Sequence, residues 1–253
     1  MNKDEILYSF DTQGFVVLKD IINKSDLLKI NKIFDSIKVD GLGLNKGAIK
    51  GKNIKDYNYE TDELYISNIV EHDKIFYQFI DNEKIIDIIS LVTLNMYRLN
   101  HTYSIQRSSS GSYTYLHMGA LPMHPKAIYS CNGGQIFSSL TKVVFPITGT
   151  KSDDGCFGIV PGSHKANFIR PWGNLPNDNK LLQPIEVDPG DAIIFTEALA
   201  HGSLIKKSSE ERRTLYYCYS VGYMPDWGKM NLSFSEDFIN DLNEKQKEIV
   251  RIK

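Results

Sequence analysis

From residue 95 onward the chain is built of short apolar runs set apart by turn residues. "NMYRLNHTYSIQ" (95–106), "YTYLHMG" (113–119), "AIYSC" (127–131), "QIFSSLTKVVFPIT" (135–148), "CFGIVPG" (156–162), "PIEVDPGDAIIFTEAL" (184–199) and "RTLYYCYSVGYM" (213–224) are rich in aromatic and β-branched residues, and Gly, Pro, Asn or Asp separates them. Regularly spaced short strands with turn signals predict an all-β sandwich or barrel. The first 94 residues have a different texture. "GFVVLKDII" (14–22) predicts a strand, and "NKSDLLKINKIFDSIK" (23–38) predicts a helix, with Leu27, Leu28, Ile30, Ile33, Phe34 and Ile37 at helical spacing and Ser25 as N-cap. "GLGLNKGAIKGKN" (41–53) lacks periodicity and predicts an exposed loop with solvated lysines; a lid for an anionic substrate is the alternative. Residues 62–93 carry apolar positions at i, i+3 and i+4, which predicts two or three short helices. "SEDFINDLNEKQKEIVRIK" (235–253) predicts a closing amphipathic helix. The expected outline is a single domain over 1–253: a mostly helical cover over 1–94, a β core over 95–224 and a helical end over 225–253.

Composition narrows the function. The 253 residues include 29 Lys+Arg against 31 Asp+Glu, a net charge of −2, which gives no bulk attraction to nucleic acid or an anionic membrane. No run approaches the roughly 18 apolar residues of a membrane span, and "MNKDEILYSF" lacks the layout of a signal peptide. Cys131, Cys156 and Cys218 are widely spaced and odd in number, so a disulfide framework or zinc knuckle is not expected, and a reducing cytoplasm is the simplest setting. The pattern leaves the oligomeric state open.

The chemistry centres on histidine. His117 ends the aromatic run "SYTYLH", and His201 follows the turn and strand "GDAIIFTEALA". A jelly roll can bring these strand ends together across the 84 positions between them (201 − 117). Two His on facing strands and one carboxylate make the facial triad of non-haem Fe(II), which leaves positions for a chelating 2-oxo acid and dioxygen. An Arg deeper in the barrel can clamp the distal carboxylate of that acid. "ERRTLYYCY" offers Arg212 and Arg213, which face opposite ways on a strand, so one of them points inward; spacing favours Arg212. The remaining histidines have plainer readings: His72 as a surface residue, His124 as a loop residue and His164 as a turn partner, with no role for His101. Tyr103, Tyr113 and Tyr115 are candidates to line a pocket.

Four elements in order, "GFVVLKDIINKSDLLKI", "DDGCFGIVPGSHKANF", "DPGDAIIFTEALAHGS" and "ERRTLYYCY", resemble the phytanoyl-CoA dioxygenase family of Fe(II)/2-oxoglutarate oxygenases over nearly the whole chain. The resemblance implies a mainly β fold, a cupin-like double-stranded β-helix (jelly roll) with flanking N- and C-terminal α-helices. It implies His117 and His201 as iron ligands, Arg212 or Arg213 with help from Ser203 at 2-oxoglutarate, dioxygen as co-substrate, and oxidation of an aliphatic C–H bond of a small molecule. The chain departs from the family at Gly119, where the pattern His-x-Asp or His-x-Glu becomes His117-Met118-Gly119. Three outcomes stay open. Chloride fills the position, as in halogenases of similar pattern. A carboxylate arrives from elsewhere, foremost Glu197 on the face alternation shares with residue 201, and more weakly Asp153 or Asp154. Or water fills it. The rival class is a cupin-like module that binds a small molecule without chemistry.

Overall fold

The computed structural model of the protein describes residues 2–36, 54–58, 63–119, 127–224 and 234–250. In chain order the elements are α1 (Lys3–Gln13), β1 (Phe15–Leu18), α2 (Lys24–Ser36), β2 (Ile54–Asn58), β3 (Glu63–Ser67), α3 (Glu83–Val92), β4 (Arg98–Arg107), β5 (Tyr129–Asn132), β6 (Gln135–Ser138), β7 (Leu140–Pro146), β8 (Phe157–Ile159), β9 (Gln183–Ile185), β10 (Ala192–Thr196), β11 (His201–Ser203), β12 (Arg212–Ser220), α4 (Glu236–Asp241) and α5 (Glu244–Val250). The larger sheet runs β1-β10-β7-β12-β4-β3-β2, every neighbour antiparallel. A smaller sheet, β11-β8-β9, faces it, and β5-β6 is a separate hairpin. This is the jelly roll, mainly β with helices at both ends.

Strand alternation sorts side chains into two cores. On β12, Leu215, Tyr217 and Tyr219 face outward with Phe34, Phe76, Phe79, Ile85 and Ile89 of the helical layer. Tyr217 Oη donates to Phe76 O (2.7 Å) and Tyr219 Oη to Phe79 O (3.0 Å), so each buried phenol has a partner. The alternate residues Tyr216 and Cys218 face into the barrel with Tyr103, Val144, Phe157, Ile159, Ile193 and Phe195. The site is built on that second face.

Several local expectations are revised. Residues 63–67, read as helical, form β3, because Leu64 and Ile66 are buried in alternation as a strand requires. Two 3₁₀ turns (Ile69–Glu71 and Lys74–Phe79) and α3 supply the helical part of that stretch. The cover over 1–94 therefore also contributes β1, β2 and β3 to the large sheet. The cap of α2 is Asn23, whose Oδ1 accepts from Asp26 N (2.9 Å), and not Ser25, which lies inside the helix. The closing helix is broken into α4 and α5 at Leu242 and Asn243. The loop 41–53 and His124 lie outside the described residues. α1 was not foreseen; an Asn2/Glu5 capping box starts it. It ends at Gly14, whose φ of 88° suits glycine and lets β1 start at once. Among the described residues no helix is long and apolar enough to cross a membrane.

Candidate metal centre

His117 and His201 meet through the main chain. His117 N donates to His201 O (2.9 Å) and His201 N to His117 O (2.8 Å), an antiparallel bridge outside the regular strands. Residues 113–119 are thus not the strand their pattern suggests; they meet the smaller sheet at this pair and through Ser203 N, which donates to Thr114 O (3.2 Å). Gly202 makes the approach possible, since a Cβ there would stand 2.7 Å from Thr114 O. The rings lie 4.2 Å apart, centroid to centroid. His117 Nδ1 contacts Tyr115 O and His201 Nδ1 contacts Leu199 O, both at 2.8 Å. A carbonyl oxygen can only accept, so each Nδ1 carries the proton and each Nε2 presents a lone pair. Burial strongly lowers the pKa of the His201 imidazole, and desolvation of the His117 ring lowers that of His117, although the residue is exposed at the surface; both favour the neutral form. Neutral rings with the outer nitrogen tied to a carbonyl are the form in which histidine binds metal. Phe157 and Phe195 pack beside His201, with centroids at 5.8 and 4.6 Å.

Glu197 completes the group. Its carboxylate and the two rings each offer a donor atom, and the three atoms lie within 4.8 Å of one another. Oε2 stands 3.8 Å from His201 Nε2. Glu197 does not share a strand with His201, however. β10 ends at Thr196, and Leu199 N returns to Thr196 O (2.9 Å) in a turn, so a turn and not alternation places the carboxylate. Gly119 N donates to Glu197 O (2.8 Å), so the position without a side chain and the residue that supplies a carboxylate are main-chain partners. Glu197 is 1% exposed. Lys142 Nζ stands 2.7 Å from Oε2, a buried ion pair. Burial disfavours the Lys142 ammonium, but the Glu197 carboxylate more than compensates and holds its pKa above the ordinary value. One carboxylate and two imidazole lone pairs, with donor atoms this close together, are a donor set that fits a divalent cation. Asp153 and Asp154 are elsewhere: Asp153 pairs with Lys207 (2.9 Å) and Asp154 caps the turn at Lys151.

The two arginines part as alternation requires. Arg213 turns to the helical face, where it binds Asp35 and Glu211 (2.6 Å each) and lies over the Phe34 ring. Arg212 turns into the barrel. Its Nη1 donates to Gly155 O (2.5 Å), and among the described residues its Nε has no hydrogen-bond partner and it makes no ion pair. Burial pushes its pKa down, and the neighbouring Arg107 adds to this. An unpaired, dry guanidinium is a site for a carboxylate. Arg107, opposite Arg212 in register, is already committed: Nε to Glu63 Oε2 (2.5 Å), Nη1 to Ser203 Oγ (3.0 Å) and Nη2 to Thr114 Oγ1 (2.5 Å). Ser203 Oγ also accepts from Thr114 N (2.8 Å), so it anchors the segment leading to His117.

Tyr103 stacks between Tyr65 (5.0 Å) and Tyr216 (4.3 Å) on the barrel wall. His101 stacks on Tyr103 at 5.8 Å; burial lowers its pKa to about 3, and its Nε2 has no partner. Tyr113 and Tyr115 pack edge to face at 5.0 Å, with Tyr115 exposed. His164 holds α1 through Asp11 O (3.0 Å). Lys142, Arg107 and Arg170 were missed by the sequence reading. Arg170 Nη2 donates to Leu116 O (2.8 Å), next to His117. Alternation along β7 and β4 marks the first two as inward-facing, but nothing in sequence pairs Lys142 with Glu197.

A family model described as phytanoyl-CoA dioxygenase (PhyH) matches residues 10–214. Dioxygenase lolE1 of Epichloe uncinata is 29% identical over 105 residues, 40% of each chain. The peroxisomal phytanoyl-CoA dioxygenase of Homo sapiens is 21% identical over 232 residues, which is 81% of this chain and 64% of that protein. The chain therefore spans less than two thirds of the length of either curated relative. The crystal structure of HygX from Streptomyces hygroscopicus, with nickel, 2-oxoglutarate and hygromycin B bound, superposes with a TM-score of 0.74 at 19% identity over 94% of both chains, and so shares the fold. Because the family model covers most of its length, the chain belongs to the phytanoyl-CoA dioxygenase family.

Proposed function

We propose that the protein is an Fe(II)/2-oxoglutarate-dependent oxygenase that hydroxylates an aliphatic C–H bond of a small molecule, with His117, His201 and Glu197 as iron ligands. The observation that carries this reading is the convergence of three donor atoms within 4.8 Å. Iron with 2-oxoglutarate and dioxygen would supply the oxidising power, and succinate and carbon dioxide would leave. The chain's own residues position and exclude. Arg212 pairs with the distal carboxylate of 2-oxoglutarate, for which its burial and its lack of an anionic partner among the described residues suit it. Arg107 and Ser203 keep the His117 segment in place. Phe157 and Phe195 keep water from the inner side of His201. The tyrosine stack gives the substrate a flat apolar wall. Halogenation, with chloride beside Gly119, is less favoured, because Glu197 already offers an anionic donor within 4.8 Å of both imidazoles.

The test is anaerobic addition of Fe(II) and then 2-oxoglutarate. A visible charge-transfer band is expected, and succinate on admission of air. His201→Ala is expected to lose both. Unchanged succinate release in that variant refutes the ligand assignment. A lack of both signals in the unaltered protein would favour a cupin-like binding module. A chlorinated product formed in chloride buffer would replace hydroxylation with halogenation.

A further inference from the structure

We propose that Lys142 is a positioning residue of the iron centre, sharing the Glu197 carboxylate with the metal and so setting the strength of the third donor. The inference rests on the reading of His117, His201 and Glu197 as ligands. Lys142 comes from the middle of β7, opposite Cys218 on β12 and Phe195 on β10, and points into the barrel. It is 5% exposed, and its ammonium stands 2.7 Å from Glu197 Oε2, the oxygen that faces His201 Nε2 at 3.8 Å. One carboxylate oxygen thus lies between a fixed cation and the place a second cation would take.

The charges decide what this does. Two neutral imidazoles and one carboxylate would give a bound dication one negative charge. With Lys142 the same set sums to zero, the value two imidazoles alone would give. The third ligand is therefore present in shape while its charge is cancelled. A cation fixed this close, itself 5% exposed, also repels the metal directly. A lysine that merely propped Glu197 in place would act the other way, because its removal would let the carboxylate drift and weaken the metal. The two roles differ in sign.

Cobalt(II) titrations of the whole protein, followed by its visible ligand-field bands and by calorimetry, read that sign without turnover. Lys142→Met is expected to bind cobalt at least about tenfold more tightly than the unaltered protein, with the bands shifted. Lys142→Arg, which keeps the charge, is expected to stay within about threefold. Glu197→Gln is expected to bind about 10- to 100-fold more weakly, and Lys142→Met in that background to gain less than it does alone. Equal or weaker cobalt binding by Lys142→Met, with Glu197→Gln still weakened, overturns the role of Lys142 and leaves the triad standing. Unchanged binding by Glu197→Gln overturns the triad itself. Should Lys142→Met not fold, Lys142→Gln carries the same expectation. In the unaltered protein the Lys142 ammonium nitrogen NMR signal must also move on zinc loading; a signal that stays in place refutes the sharing.

Discussion

Glu197→Gln tests the buried ion pair on the metal-free protein. The substitution keeps the side chain's shape and removes its charge, so the Lys142 ammonium, 5% exposed, is left without its anion. Removing one partner of a buried pair costs about 3–5 kcal/mol. Release of the lysine proton offsets part of this, so a loss of about 3 kcal/mol is expected near neutral pH, or about 6–12 °C in Tm for a chain this long. Urea unfolding measures it, with an unchanged denaturant slope showing that both proteins unfold the same way. The pH dependence carries a sign. In the unaltered protein the folded pKa of Lys142 lies above its ordinary value, so its contribution is fully present below the unfolded pKa of about 10.4 and is lost as pH rises through the folded pKa. In Glu197→Gln only burial acts, and the folded pKa falls below the unfolded one. The unfolded chain then binds more protons across that interval, and the variant gains stability as pH rises toward about 10. A loss below about 1 kcal/mol, or the absence of that rise, would refute the claim that the two groups depend on each other.

Arg212→Ala is expected to abolish the Tm rise that excess 2-oxoglutarate gives the metal-loaded protein. Arg213→Ala is expected to keep that rise but cost about 1–3 kcal/mol of stability through lost contacts with Asp35 and Asn31; the reverse pattern would exchange their roles. Gly119→Asp in the Glu197→Gln background is expected to restore metal-dependent stabilisation, and no recovery would show that positions 119 and 197 do not address one coordination position. Tyr217→Phe is expected to cost about 1 kcal/mol in urea unfolding, by removing the donor to Phe76 O.

Sequence showed the strands that are aromatic- and β-branched-rich runs bounded by turn residues, and left obscure what depends on long-range contact. Arg212 and Arg213 were legible as opposed because period-2 alternation is a property of the strand itself. The histidine pair was legible through resemblance, because their spacing of 84 positions has no local signature. Alternation pointed to Glu197 as a candidate donor, while it is a turn after Thr196 that brings its carboxylate near the two rings. β3 was mistaken for helix because five residues ending in a 3₁₀ turn offer apolar positions that suit either period. Helix α1 buries one side chain fully, Phe10, so it has no stripe, and its one clear signal was the Asn2–Glu5 box. Lys142 was invisible, since a lysine in an apolar strand shows its partner only after β7 and β10 are paired.

The bridge between His117 and His201 bears on where the free energy of assembly is spent. Closing a segment of 84 positions costs about 4 kcal/mol of chain entropy. Here the main chain meets that cost when the sheet forms, through two reciprocal amide bonds of 2.9 and 2.8 Å. A cation that arrives later finds its donors already gathered and has mainly ring and carboxylate torsions left to order. Metal loss should accordingly leave the roll standing, so the ion can be exchanged during the protein's lifetime without a folding event.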